Sequence, residues 1–330
     1  MICPKCGVEN PAGNRFCDEC GTKLTAPAPA KKEIKKSHPA VSAPAPATLT
    51  PAAALPWAGD LNAGAAAWLA KWFTLENLVW ALIILAGVWL RFYALGDKPL
   101  HHDESLHAFY SWNYFKGNGY AYDPMMHGPL QFHGNALMYF LFGASNYTAR
   151  ILAASCSVFS IILIYGLRPF LGRAGAMFAG VMMLLSPSFT YFGRFTREDM
   201  YFATFTLLMV FGMFHYLRTR LPRYLYYVGI GMALAFSTKE AIYIIGYIFF
   251  FALVFRWLWE KGANQAGENQ VTETLDGFRA DPKTLYMALA IFGAIMVLLY
   301  TSLFSNPRGI LDAFTKSWSY WLGQHEVQRG

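Results

Sequence analysis

Polarity alternates along this chain on the scale of whole helices. Apolar runs at 76–95, 148–168, 174–192, 200–217, 224–237, 240–259 and 284–304 are separated by short stretches that hold most of the charge. About 20 apolar residues cross the hydrocarbon core of a bilayer. The pattern therefore predicts an all-α polytopic membrane protein with about seven transmembrane helices. The 224–237 run is short for a span. Segment 129–142 (PLQFHGNALMYFLF) is apolar but short, and reads as a re-entrant or interfacial helix. Residues 63–73 (AGAAAWLAKWF) read as a helix lying along the interface.

Before the first span the pattern changes character. Residues 1–24 hold Cys3-x2-Cys6 and Cys17-x2-Cys20, two knuckles joined by a loop with Gly and Pro. Four thiolates from two such pairs suit the tetrahedron of a structural Zn2+ site, whereas two disulfides would require an oxidising compartment. A segment this short has no core of its own, so the metal would supply its folding energy. Residues 25–75 form a Pro/Ala-rich linker ending in the interfacial segment, with a KKEIKK run that either touches anionic headgroups or is simply solvated.

Composition fits the same picture. Apolar residues make up 55% of the chain and charged residues 14%, against about a quarter charged in soluble domains. The net charge of +7 is scattered between apolar runs and forms no basic face with interleaved aromatics, which argues against a nucleic-acid partner. Cys156 lies in an apolar run and reads as a small core residue. The polar, cysteine-rich start does not read as a cleavable signal peptide, so an internal helix is expected to direct insertion.

Arg168 with Arg173, then Arg218, Arg220 and Arg223, then Arg256 and Lys261 fall on one side of the alternating spans. The positive-inside rule makes that side, and the knuckle with it, cytoplasmic. Further cations on the opposite side (Lys98, Lys116, Arg150, Arg194, Arg197, Lys239) need another explanation.

Three charged interruptions collect on that opposite side. The first loop gathers His101, His102, Asp103, Glu104, His107, Asp123, His127 and His133. A helix from Glu104 to Lys116 would lie flat on the bilayer, with Asp103 and Glu104 at its start and Leu106, Phe109, Tyr110 and Tyr114 on one side. HDESLH is not an HExxH zinc-protease motif: His102 and His107 are five apart, about 140° around a helix. Asp103 and His107 share a face that could bind a cation, and read first as a hydrogen-bonded pair. The second cluster is Arg194, Arg197, Glu198 and Asp199, either a solvated loop or a paired set suited to phosphate and hydroxyl groups. The third is Lys239 and Glu240, placed at a tight turn or facing a cavity. Arg91, near the outer end of the first span, joins this face or snorkels to the interface.

The order of these features resembles the GT-C superfamily of membrane glycosyltransferases, within it the protein-mannosyltransferase and lipid-A-aminoarabinose-transferase branch. The resemblance is carried by Asp103-Glu104, HGPL at 127–130, SNYTARILAAS at 145–155, SP at 186–187, REDM at 197–200 and STKE at 237–240. The wording HHDESLHA and DPMMHGPLQFHGN is especially similar to bacterial and archaeal flippase-activity-associated proteins, implicated in N-glycosylation. It covers residues 76–330 and leaves the zinc ribbon outside. Members of the superfamily usually run well past 330 residues, so the 76–330 domain is expected to be C-terminally truncated.

The resemblance implies an enzyme in the cell membrane that moves a sugar from a polyprenyl phosphate to an acceptor hydroxyl on the extracytoplasmic face. Asp103 would be the general base, with Glu104 beside it. Arg91, His102, His107, His127, Arg194, Arg197, Glu198, Asp199, Lys239 and Glu240 would hold acceptor and lipid phosphate. A DE pair lacks the DxD spacing that often accompanies metal use, which argues against a catalytic divalent metal without deciding the point. The alternative is a non-catalytic component of lipid-linked glycan translocation. The ribbon's zinc would be structural, offering a cytoplasmic contact for a protein partner.

Overall fold

The computed structural model describes residues 73–262 and 269–324, together with residues 2–3, 5–9, 17, 19–20 and 22 of the ribbon. The linker, and the interfacial helix expected at 63–73, lie outside the described residues apart from Phe73 and the start of the first helix. The helices are α1 (Leu75–Phe92), α2 (His102–Phe115), α3 (Leu130–Phe142), α4 (Asn146–Gly166), α5 (Arg168–Leu185), α6 (Pro187–Phe192), α7 (Glu198–Thr219), α8 (Pro222–Phe236), α9 (Ile242–Gly262), α10 (Gln270–Ala280), α11 (Lys283–Tyr300) and α12 (Gly309–Gly323). A single isolated antiparallel bridge, Ile2 to Glu9, is the only β pairing among the described residues.

Each of the seven expected spans falls mainly on helix, and among the described residues α1, α4, α7, α9 and α11 are long and apolar enough to cross a membrane. The other two expected spans are shorter or broken. The run at 174–192 is interrupted at Ser186-Pro187, where α5 ends and α6 begins; proline offers no N–H to continue a helix. Helix α8 has 15 residues, about 22 Å of rise, and is clamped between neighbours. A methyl group on Gly212 of α7 would sit 2.6 Å from Tyr224 O of α8, and one on Gly229 of α8 would sit 2.7 Å from Ala288 O of α11. Small residues that let backbones touch are how helices pack without water to drive them together.

The main core lies between α1, α4 and α5, around Trp80, Ile83, Ile161 and Leu184. The connections sort to two ends. Residues 93–145, 186–198, 237–241 and 301–324 are joined to one another at one end. The α4–α5 and α7–α8 connections, helix α10 and Cys20 of the ribbon lie at the other. Helices α2 and α3 pack together at the first end, with Leu106, Phe109 and Tyr110 exposed on α2.

Candidate active site

Helix α2 is fixed to the bundle by one carboxylate. Glu104 accepts from Arg150 Nε at 2.8 Å and Nη2 at 2.7 Å, from the His101 N–H at 3.0 Å and from the Thr196 N–H at 2.9 Å. Arg150 itself is buried and also donates to the carbonyls of Leu95, Lys98 and Pro99. Burial alone would raise the proton affinity of Glu104, but the Arg150 guanidinium and the two backbone N–H groups hold it below the usual carboxylate range. Glu104, expected beside the general base, is thus filled by structural partners and joins three segments.

Its neighbour Asp103 remains accessible. Asp103 is 38% exposed and accepts from Arg197 Nη1 at 2.7 Å. It does not pair with His107 as expected. The His107 ring turns inward, where Nε2 lies 3.5 Å from Glu198 Oε2. Burial holds His107 below the ordinary imidazole range, despite the opposing pull of Glu198.

Glu198, the first residue of α7, is the buried centre of the cluster. Its Oε1 lies 3.2 Å from Arg197 Nε, 3.3 Å from His127 Nε2 and 3.5 Å from Lys239 Nζ. Lys239 donates to Asp199 Oδ1 at 2.7 Å. His127 Nδ1 is 2.8 Å from Glu240 Oε2, and the Tyr122 hydroxyl donates to Glu240 Oε1 at 3.1 Å. Asp103, His107, His127, Arg197, Glu198, Asp199, Lys239 and Glu240 therefore form one continuous network drawn from all three expected clusters.

The HGPL and STKE segments meet through their backbones. The Gly128 N–H donates to Thr238 O at 3.0 Å and the Leu130 N–H to Ser237 O at 2.9 Å. A side chain at Gly128 would overlap Ser237 O. The same close approach holds His127 at φ 62° and ψ −158°, a region that is nearly reserved for glycine and strained for other residues.

Three expected ligands lie elsewhere. Arg91 is fully buried and donates to Ser157 Oγ, Leu184 O and Met183 O, which ties α1 to the end of α5. Arg194 donates to the carbonyls of Leu90, Tyr93 and Ala94 and so caps α1. Neither joins the network. His102 is exposed at the start of α2 and contributes no contact to it. The sequence reading missed Thr196, whose carbonyl accepts from Gln131 at 2.8 Å and whose hydroxyl accepts from Asn135 at 2.9 Å. Gln131 and Asn135 sit one turn apart on α3, and that spacing was the available signal.

A groove of about 400 Å³ opens beside the network between α9 and α12, lined by Lys239, His127, Glu240, Tyr243, Ile244, Trp318 and Trp321. Its walls are almost wholly apolar, and His127 and Glu240, which pair with each other, are among the residues that line it. Trp318 and Trp321, three apart on α12, were also missed.

At the far end, the four cysteines are free thiols whose sulfurs lie within 4.8 Å of one another. Cys3 Sγ is 3.4 Å from Cys20 Sγ, and Cys6 Sγ is 3.5 Å from Cys17 Sγ. A zinc tetrahedron with bonds of about 2.3 Å sets its sulfurs about 3.8 Å apart, so the residues fit the ion.

Residues 126–266 match the family described as dolichyl-phosphate-mannose-protein mannosyltransferase, and residues 2–24 match a zinc-ribbon domain. Among solved structures, the chain is similar to the S. cerevisiae protein O-mannosyltransferase Pmt1–Pmt2 complex bound to the sugar donor, at TM-score 0.55 and 18% identity over 70% of this chain and 34% of that one. The membrane region has a GT-C-like fold. This GT-C-like region is equally similar to ArnT from Cupriavidus metallidurans bound to undecaprenyl phosphate, at TM-score 0.56 and 17% identity over 74% of this chain and 45% of that one. In its apo state ArnT gives TM-score 0.51 at 17% identity, over 75% of this chain and 44% of that one. The chain thus spans less than half the length of these structures. No curated protein sequence matches it. The family match includes His127, Arg197, Glu198, Asp199, Lys239 and Glu240, and begins after Asp103.

Proposed function

We propose that this protein is a membrane glycosyltransferase that moves a sugar from a polyprenyl-phosphate donor to an acceptor hydroxyl. The observation that carries the reading is the accessible Asp103 carboxylate, held by Arg197 at 2.7 Å on the rim of a buried acid–base network with an apolar groove alongside. Asp103 takes the acceptor proton as the acceptor oxygen forms its bond to the anomeric carbon. The bond from that carbon to phosphate oxygen breaks on the opposite face, so configuration inverts, and the lipid phosphate departs with the electron pair. Arg197 and Lys239 lie where they can balance the growing negative charge. Lys239, half-buried on a flexible stem, can exchange its bond to Asp199 for one to phosphate. Glu198, Asp199 and Glu240 hold these cations and His127 in place. The groove gives the isoprenoid an apolar wall beside these charged groups.

The same reading places the site on the extracytoplasmic face and the ribbon in the cytoplasm. The test is a transfer assay with purified protein, a panel of polyprenyl-phosphate sugars and hydroxyl acceptors. Transfer with inverted anomeric configuration supports the proposal. Lipid binding without transfer from any donor would favour the non-catalytic alternative.

A further inference from the structure

Arg218, in the last turn of α7, donates through Nη2 to Cys20 O at 2.6 Å and through Nη1 to Pro169 O at 3.0 Å. Its guanidinium lies 5.3 Å from the centroid of Phe170. One side chain thus joins the carbonyl of a zinc-ligand residue, the start of α5 and the end of α7. Beside it a cavity of about 310 Å³ is walled by Glu19 of the ribbon and by Glu76, Arg168 and Arg173 of the helices. Glu76 pairs with both Arg168 and Arg173, so two guanidiniums share one carboxylate and Glu19 brings a second.

Arg168 and Arg173 share a cavity wall with Glu19 of the ribbon, and Arg218 binds the carbonyl of Cys20, next to Glu19 in the chain. Among the described residues the ribbon's apolar cluster is Cys3, Cys17, Val8 and Cys20, so the knuckle that offers Cys20 O to Arg218 depends on the metal for its shape.

We infer that the zinc-loaded ribbon is an intramolecular docking module that seats on the start of α5 and the C-terminal end of α7, with Arg218 as its latch, and that it leaves this seat when zinc is removed. Helix α7 carries Glu198 at its opposite end, so the seat and the candidate active site share one helix. The inference concerns the ribbon alone and stands whether or not the chain transfers sugar.

The test uses the full chain in detergent with photoreactive p-benzoylphenylalanine replacing Glu19, and maps intramolecular crosslinks by mass spectrometry. Zinc-loaded protein is expected to crosslink to residues 168–173. Chelation should lower the yield several-fold and zinc should restore it. Arg218→Ala, checked by metal analysis to keep its zinc, should also lower it several-fold. Hydrogen exchange on the unsubstituted protein provides a second reading, with amides of 166–172 exchanging faster after chelation. No crosslink in the zinc-loaded protein together with unchanged exchange on chelation overturns the inference, as does a crosslink insensitive to both chelation and Arg218→Ala.

Discussion

Asp103 and Arg197, 94 residues apart in the chain, meet at 2.7 Å. Both are more than a third exposed, and a pair of that kind contributes about 0–1 kcal/mol to stability. Its value is therefore positional: it sets an accessible carboxylate in the first turn of α2 against the guanidinium of the N-cap residue of α7.

The buried pair behind it behaves differently. Glu104→Gln leaves Arg150 buried without its counter-charge, which costs about 3–5 kcal/mol when one partner of such a pair is removed. Thermal unfolding in detergent should show a large loss of stability, and Glu104→Gln combined with Arg150→Met should recover part of it.

Lys239→Met removes a half-buried cation that lines the groove. Loss of one group that stabilises developing charge lowers kcat about 10²–10³-fold. Transfer kinetics should show that fall, with the unfolding temperature little changed because Lys239 is half-buried and its partners Asp199 and Glu198 keep Arg197 nearby.

His127 separates strain from function. Its backbone lies in a region that costs a non-glycine residue about 1–3 kcal/mol. His127→Gly relieves that strain and His127→Ala does not, although both remove the ring between Glu198 and Glu240. His127→Gly is expected to be the more stable of the two by about 1 kcal/mol or more, with transfer lost in both. Paired melting curves and a transfer assay check this.

A pH effect follows from His107. Burial depresses its folded-state pKa, while an unfolded histidine titrates near about 6.5. Below that pH the unfolded chain takes up a proton that the fold resists, so stability falls as pH drops from about 6.5 toward the folded-state value. Above it the group has no effect. His107→Gln should flatten this part of the stability–pH curve.

Much of this arrangement was legible in the sequence. The cysteine spacing and the apolar runs are local signals, and each reappears as a thiol cluster or a helix. The meeting of the DE, REDM and STKE clusters followed from counting spans. The destination of individual charges did not. Arg91 and Arg194 look like free cations near a membrane face, but helix-end carbonyls absorb them, and a sequence does not show which carbonyls face which guanidinium. Glu104 and Asp103 are adjacent, yet helical rotation buries one and exposes the other. Thr196, Gln131 and Asn135 carry no charge and so drew no notice, while Trp318 and Trp321 resemble any aromatic pair at a membrane interface.

The most direct measurement is the transfer rate of Asp103→Asn in protein shown by its melting curve to be folded and inserted. The carboxamide keeps the shape of the side chain and removes the base. The account predicts a near-wild-type melting curve, retained binding of a polyprenyl-phosphate sugar, and transfer reduced by about 10²-fold or more. Full transfer activity in the folded Asp103→Asn protein would contradict it.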